Sequence, residues 1–244
     1  MSIRHRIANQ CFQVLEELEN ARQRFLAGND EEALHDIRVH LRILRTILPL
    51  VFSRRAKLEQ TVLRAFKSLA QSSNPARDLE VLLATLGEHP ATEALRQELI
   101  NHYAILHQRF ASGDFEVLTT TAAYLVKQRL QHAGKNGVTP WRQILKLQKR
   151  LDLALQHQDF KASAPTDKAL LAWHQLRICI KRLRYLHEFA LAAPDRAILK
   201  RLKAAQQVLG ELHDAQNLSR YQHIDFAPLL AQAEAQRHLL CRLS

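Results

Sequence analysis

Cysteine is nearly absent from this 244-residue chain, and the three present, Cys11, Cys179 and Cys241, are far apart with no CxxC pair. An odd, scattered set excludes a disulfide framework and a thiolate metal site, and a reducing compartment is the simplest context. Glycine (6) and proline (7) are scarce, which removes the usual punctuation of β-rich folds and leaves few interruptions to helices. Aromatics make up only 6% of the residues, and no aromatic cluster of the kind that stacks bases is present. No stretch approaches the ~18 uninterrupted apolar residues that a membrane helix needs, so no membrane insertion is expected. The N-terminal MSIRHRIANQCFQVLEELENARQ has no apolar signal core. These absences together lead to an expectation of a soluble, cytoplasmic protein.

Acid is the other shortage. Thirty-five Lys and Arg face 24 Asp and Glu, giving a formal net charge of +11 and a sequence pI near 10. Self-repulsion of that size disfavours the compact state, so it points to a use: a polyanion or an acidic surface as partner. At 47% hydrophobic the chain is still able to build a core, as one large domain or two small ones.

What is abundant is helix-forming sequence: Leu, Ala, Gln, Arg and Glu at 3.6-residue periodicity. The pattern predicts helices near 3–26, 30–52, 56–71, a short one from Leu79, then 91–111 and 115–131. Asp30 is the expected cap of the second, and Ser72-Ser73-Asn74-Pro75 ends the third. The glycine-containing segment 132–138 divides the chain, and Thr139-Pro140-Trp141 restarts it with a capping Thr and a Pro at the first helical position. Further helices are expected near 141–159, 166–192, 195–209, 214–221 and 226–242. No alternating run is long enough for a strand. The fold class is all-α, in two helical halves, 1–132 and 133–244.

Two stretches repeat one pattern. HDIRVHLRILR (35–45) and HQLRICIKRLR (174–184) each carry a histidine followed by bases three, seven and ten positions later. The residues are His35, Arg38, Arg42, Arg45 and His174, Arg177, Lys181, Arg184. At about 100° per residue these positions fall within an arc of roughly 80°, on a stripe some 15 Å long. A neighbouring stripe, Ile37, Leu41, Leu44 and Leu48, or Leu176, Ile180 and Leu183, faces a core. Solvated helices interleave bases with acids at i±4, yet no acid interrupts either stripe. With a shift of 136, Arg64 and Lys67 align with Lys200 and Lys203, and Arg77-Asp78 with His213-Asp214. Ordered matches at a nearly constant offset indicate an internal duplication. If a two-fold axis relates the halves, the stripes can line one basic groove. Asp78 and Asp214 suit orienting neighbouring bases or capping helices.

Arg forks, Lys point charges and His match phosphate oxygens. Without stacking aromatics or a Gly-rich phosphate loop, a base-free chain of phosphates fits best. HDIRVHLRILRTILPLVF with ARDLEVLL (76–83), and WHQLRICIKRLRYLHEF (173–189) with LGELHDAQNL (209–218), resemble the two halves of the CHAD domain, the conserved-histidine α-helical domain. That resemblance implies two similar four-helix bundles with a basic central channel that binds inorganic polyphosphate. Its channel residues would be the eight ladder residues, with Arg64, Lys67, Lys200 and Lys203 beside them. Ile43 stands where members of the family often carry another Arg. The ExExK signature of the triphosphate-tunnel catalytic domain that accompanies many relatives is absent, which implies a stand-alone, non-catalytic binding module without cofactor. Capture of this kind suits targeting to polyphosphate or storage granules. Two other classes compete. An HD-type metal-dependent phosphohydrolase is invited by His35-Asp36 and His213-Asp214, but adjacent helix residues diverge and further ligands are wanting. Non-specific binding of nucleic acid, or of other polyanions, would use the same basic faces.

Overall fold

The computed structural model describes residues 3–28, 32–131, 140–156, 166–191 and 193–241. Among them are ten α-helices and no strand: α1 (Ile3–Ala27), α2 (Ala33–Val51), α3 (Lys57–Ser72), α4 (Asn74–Leu86), α5 (Thr92–Ala111), α6 (Gly113–Gln131), α7 (Pro140–Leu155), α8 (Asp167–Ala190), α9 (Arg196–Leu218) and α10 (Ala227–Cys241). None of these helices is long and apolar enough to cross a membrane. The expected caps Asp30 and Thr139, and the dividing segment 132–138, lie outside the described residues.

The helix ends follow from local chemistry. Gly28 takes a φ of 74°, the left-handed conformation that closes α1 at little steric cost, and its N–H donates to Phe25 O at 3.2 Å. Thr166 accepts from the Ala169 N–H to cap α8, and Asp195 accepts from the Ala197 and Ile198 N–H groups to cap α9. Two expected boundaries differ. The helix expected from Leu79 starts five residues earlier, at Asn74, because Pro75 suits a first helical turn, where its missing N–H costs nothing. The break expected at Gly210 does not occur, and α9 runs straight through it. A lone interior glycine costs a helix only about 1 kcal/mol, which burial of Leu202, Ala205, Leu209 and Leu212 on the same helix offsets.

The chain divides into two compact units, Met1–Val138 and Thr139–Ser244. In the first, α1 lies along α2, α2 on α3, and α6 returns against α1 and α3, while α4 and α5 form a hairpin. Its core is a set of periodic stripes: Cys11, Val14 and Leu18 of α1, Leu34, Ile37, Leu41 and Leu44 of α2, and Phe66 of α3, all fully buried. In the second, α7 lies on α8, α8 on α9, α9 on α10, and α10 closes back on α7, a four-helix arrangement. Ile144, Trp173, Leu176, Ile180, Leu183, Leu202 and Leu209 fill it.

Glu59 is a buried charge that stitches the first unit together. It is 3% exposed, receives Arg129 Nε at 2.6 Å and Nη2 at 3.2 Å from the end of α6, and accepts from the Ser53 backbone N–H in the α2–α3 connection. Glu59→Ala leaves an amide and a guanidinium without their acceptor. The expected outcome is a loss of about 2–3 kcal/mol of stability in urea unfolding followed by circular dichroism.

Candidate functional site

Both ladders are rooted at the edge of a core. Every ladder residue directly follows a buried apolar neighbour: Leu34, Ile37, Leu41 and Leu44 in α2, and Trp173, Leu176, Ile180 and Leu183 in α8. Helical phase therefore places the cations one step off the core stripe, where side chains are only partly wetted. Arg42, Arg45, His174, Arg177, Lys181 and Arg184 are half-buried, and His35 is exposed.

Arg38 departs from the even stripe. It is 6% exposed, and its Nη1 donates to the Ser73 carbonyl and, at 2.9 Å, to Ser73 Oγ. The cause lies in the α3–α4 junction. Ser73 lies between the end of α3 and the start of α4, where its carbonyl depends on a first-turn backbone donor. The Arg77 backbone N–H reaches Ser73 O only at 3.4 Å. Arg38 supplies the second donor to a wholly buried residue. Its burial, reinforced by the Arg42 charge, lowers the guanidinium pKa to about 10, while Asp78 and Glu80 favour the charged form. It therefore stays a cation at neutral pH. Acids near α2 lie off the stripe: Asp36 pairs with Arg24, and Glu17 lies 3.2 Å from His40 Nε2. Arg64 and Lys67 are exposed on α3, with Arg64 Nη2 donating to Thr61 Oγ1 at 3.0 Å.

On α8 the cations meet α9. The His174 ring lies 5.3 Å, centroid to centroid, from His213 of α9. The Arg177 guanidinium lies beside Gly210, where an added Cβ would stand 3.9 Å from Nη2. Burial first, then the charges of Arg177, His174, Lys181 and Arg220, lower the His213 pKa to about 4. Its Nδ1 is buried with no hydrogen-bond partner among the described residues. Further along, Arg184 Nε lies 3.8 Å and Lys203 Nζ 3.1 Å from the carboxylate of Glu188, which joins Lys203 of α9 to the ladder. Lys200 is exposed on α9. Tyr185 is a core residue, 4% exposed, with Arg184 Cζ 4.3 Å from its ring centre.

His213 and Glu188 are the residues a reading of the ladders alone leaves out. For His213 the signal was present: the 136-residue shift aligns it with Arg77, a basic residue type before an aspartate in each half. For Glu188 the signal is its i+4 spacing from Arg184. Among the described residues no three His, Cys, Asp or Glu side chains are grouped to hold a metal ion. His213 meets His174 rather than a carboxylate, and Asp36 is turned to Arg24.

The burial difference between two ladder arginines predicts different effects on stability. Arg38→Gln is expected to lower unfolding free energy by about 1–3 kcal/mol, because Ser73 loses a charged donor in a buried place. Arg42→Gln, at a half-buried position, should stay within about 0.5 kcal/mol of the parent. Urea midpoints of the two variants check this directly.

Against known proteins, the family model described as the CHAD domain matches residues 9–221. Among solved structures, the crystal structure of the CHAD domain from the plant Ricinus communis is similar at 23% identity and a TM-score of 0.68. That match covers 99% of this chain and 87% of the plant chain. No curated protein matches. With a family model spanning most of its length and a shared all-helical fold, this chain belongs to the CHAD domain family.

Proposed function

We propose that this chain captures inorganic polyphosphate through the basic faces of α2 with α3 and of α8 with α9, and does not cleave it. The observation that carries the reading is the crowding on α8 and α9. Burial first, then the charges of Arg177, His174, Lys181 and Arg220, disfavour the charged form of His213, so basic groups from two helices share one partly buried face where screening by water is weakened. A run of phosphates relieves that repulsion, with Arg forks and Lys point charges taking its oxygens. The scarcity of aromatics favours a ligand without bases over nucleic acid. The CHAD resemblance supports the same ligand. Among the described residues no three metal-ligating side chains are grouped, which supports capture, with granule targeting as its natural use.

Titration with polyphosphate of defined length is expected to give tight binding that weakens steeply with salt through counterion release. In a folded Arg42→Glu/Lys181→Glu variant binding should fall at least a hundredfold, and no free phosphate should appear with the parent protein. Unchanged binding in the double reversal would defeat the reading, and released phosphate would defeat its non-catalytic part.

The same arrangement sets a pH dependence. Burial, and then the charges of its cationic neighbours, lower the His213 pKa to about 4. A bound polyanion reverses that field and raises its pKa, so the complex holds a proton that the free protein lacks. Affinity should therefore rise as the pH falls from about 7 toward 4, with net proton uptake on binding. Calorimetry in buffers of different ionisation enthalpy measures the uptake, and His213→Gln should reduce it.

A further inference from the structure

Glu188 stands at the C-terminal end of the α8 ladder, four residues past Arg184. Its oxygens are divided between two of the cations assigned to the ligand: Oε1 lies 3.1 Å from Lys203 Nζ, and Oε2 lies 3.8 Å from Arg184 Nε. A carboxylate that is needed to hold a guanidinium in place binds it closely, often with two hydrogen bonds. Here Arg184 Nε makes no hydrogen bond among the described residues, and its guanidinium already rests over the ring of the buried Tyr185 at 4.3 Å. Arg184 is thus placed by stacking, and what Glu188 adds is charge. Lys203, 52% exposed, is long and mobile enough to follow either a carboxylate or a phosphate. In α2 the residue four positions past Arg45 is Pro49 rather than an acid.

We propose that Glu188 is a built-in competitor for the anion: it occupies Arg184 and Lys203 in the absence of ligand and admits ligands charged enough to displace it. The inference rests on the polyphosphate reading and assigns a specificity residue within it. A tethered carboxylate competes at high effective concentration, which a single orthophosphate meets poorly and a linked chain of phosphates meets well. Selectivity for chains over orthophosphate follows without any contact that measures length.

The test compares the parent protein with Glu188→Gln, which keeps the shape and removes the charge, and with Glu188→Asp, which keeps the charge on a shorter stem. Folding of each is checked by thermal melting. Polyphosphate and orthophosphate are titrated separately over a range of sodium chloride. Glu188→Gln is expected to bind polyphosphate about three- to tenfold more tightly at low salt, with a salt slope steeper by about one phosphate contact. It should also gain measurable orthophosphate binding, and Glu188→Asp should fall between the two proteins. Equal or weaker binding by a folded Glu188→Gln protein would overturn the inference, since Glu188 would then be positioning cations. Failure of the parent to bind polyphosphate would instead defeat the function proposed above. Glu188 would still be judged by elution from a sulfated-polysaccharide column. Later elution of Glu188→Gln supports competition, and equal or earlier elution overturns it.

Discussion

Everything distinctive in this molecule depends on one constraint: cations must sit beside each other at the margin of a hydrophobic core. A helix that buries residues at i, i+3, i+7 and i+10 fixes the direction of the next residue along, and in α2 and α8 that residue is repeatedly His, Arg or Lys. Two like charges about 4 Å apart cost roughly 1–4 kcal/mol depending on how much water reaches them. Each fully buried Leu or Ile contributes roughly 1.5–3 kcal/mol. Trp173, Leu176, Ile180 and Leu183 are therefore enough to hold α8 in place against the repulsion on its flank. The core stabilises a surface that would not assemble by itself.

The two units meet this constraint in different ways, and the difference turns on a single proline. Pro75 divides the chain after the α2 ladder into α3 and α4, and the break leaves the buried Ser73 carbonyl short of a strong donor. Arg38 answers it and becomes part of the architecture. On the 136-residue shift the position of Pro75 is taken by Glu211, which a helix accepts, and α9 continues unbroken. No carbonyl is stranded there. Arg177, in the place of Arg38, lies along Gly210 instead, with His213 one turn further on. The same residue type at the same ladder step is a helix-junction clamp in one unit and part of a cation cluster in the other.

That divergence marks how far the sequence could be read. The all-helical class, nearly every helix, the Ser73–Pro75 break and the apolar stripes were legible, because periodicity and proline chemistry act locally. The ladders were legible as faces for the same reason. The fate of Arg38 was not, since it depends on a carbonyl 35 residues away that becomes available only when α3 and α4 pack on α2. Nor was the continuity of α9, where a glycine that reads as a helix end is carried through by its buried neighbours. His213 appeared in the sequence as half of a His-Asp pair, and only packing of α9 on α8 turns its ring to His174. Glu188 was visible at i+4, but its second contact, to Lys203, is tertiary.

Two residues of opposite character then adjust the charge of the α8–α9 face. Kept neutral by burial and by its cationic neighbours, His213 adds no positive charge to the face, which limits the repulsion that the core must overcome. Glu188 does the same from the other end by covering Arg184 and Lys203. On the proposed function both effects reverse when an anion binds: the imidazole gains its proton, and the carboxylate gives up its cations. The face is therefore less positive while empty than while occupied. A protein that must stay folded without its ligand and still hold a polyanion needs that asymmetry, because a fixed charge would either strain the free form or weaken the bound one.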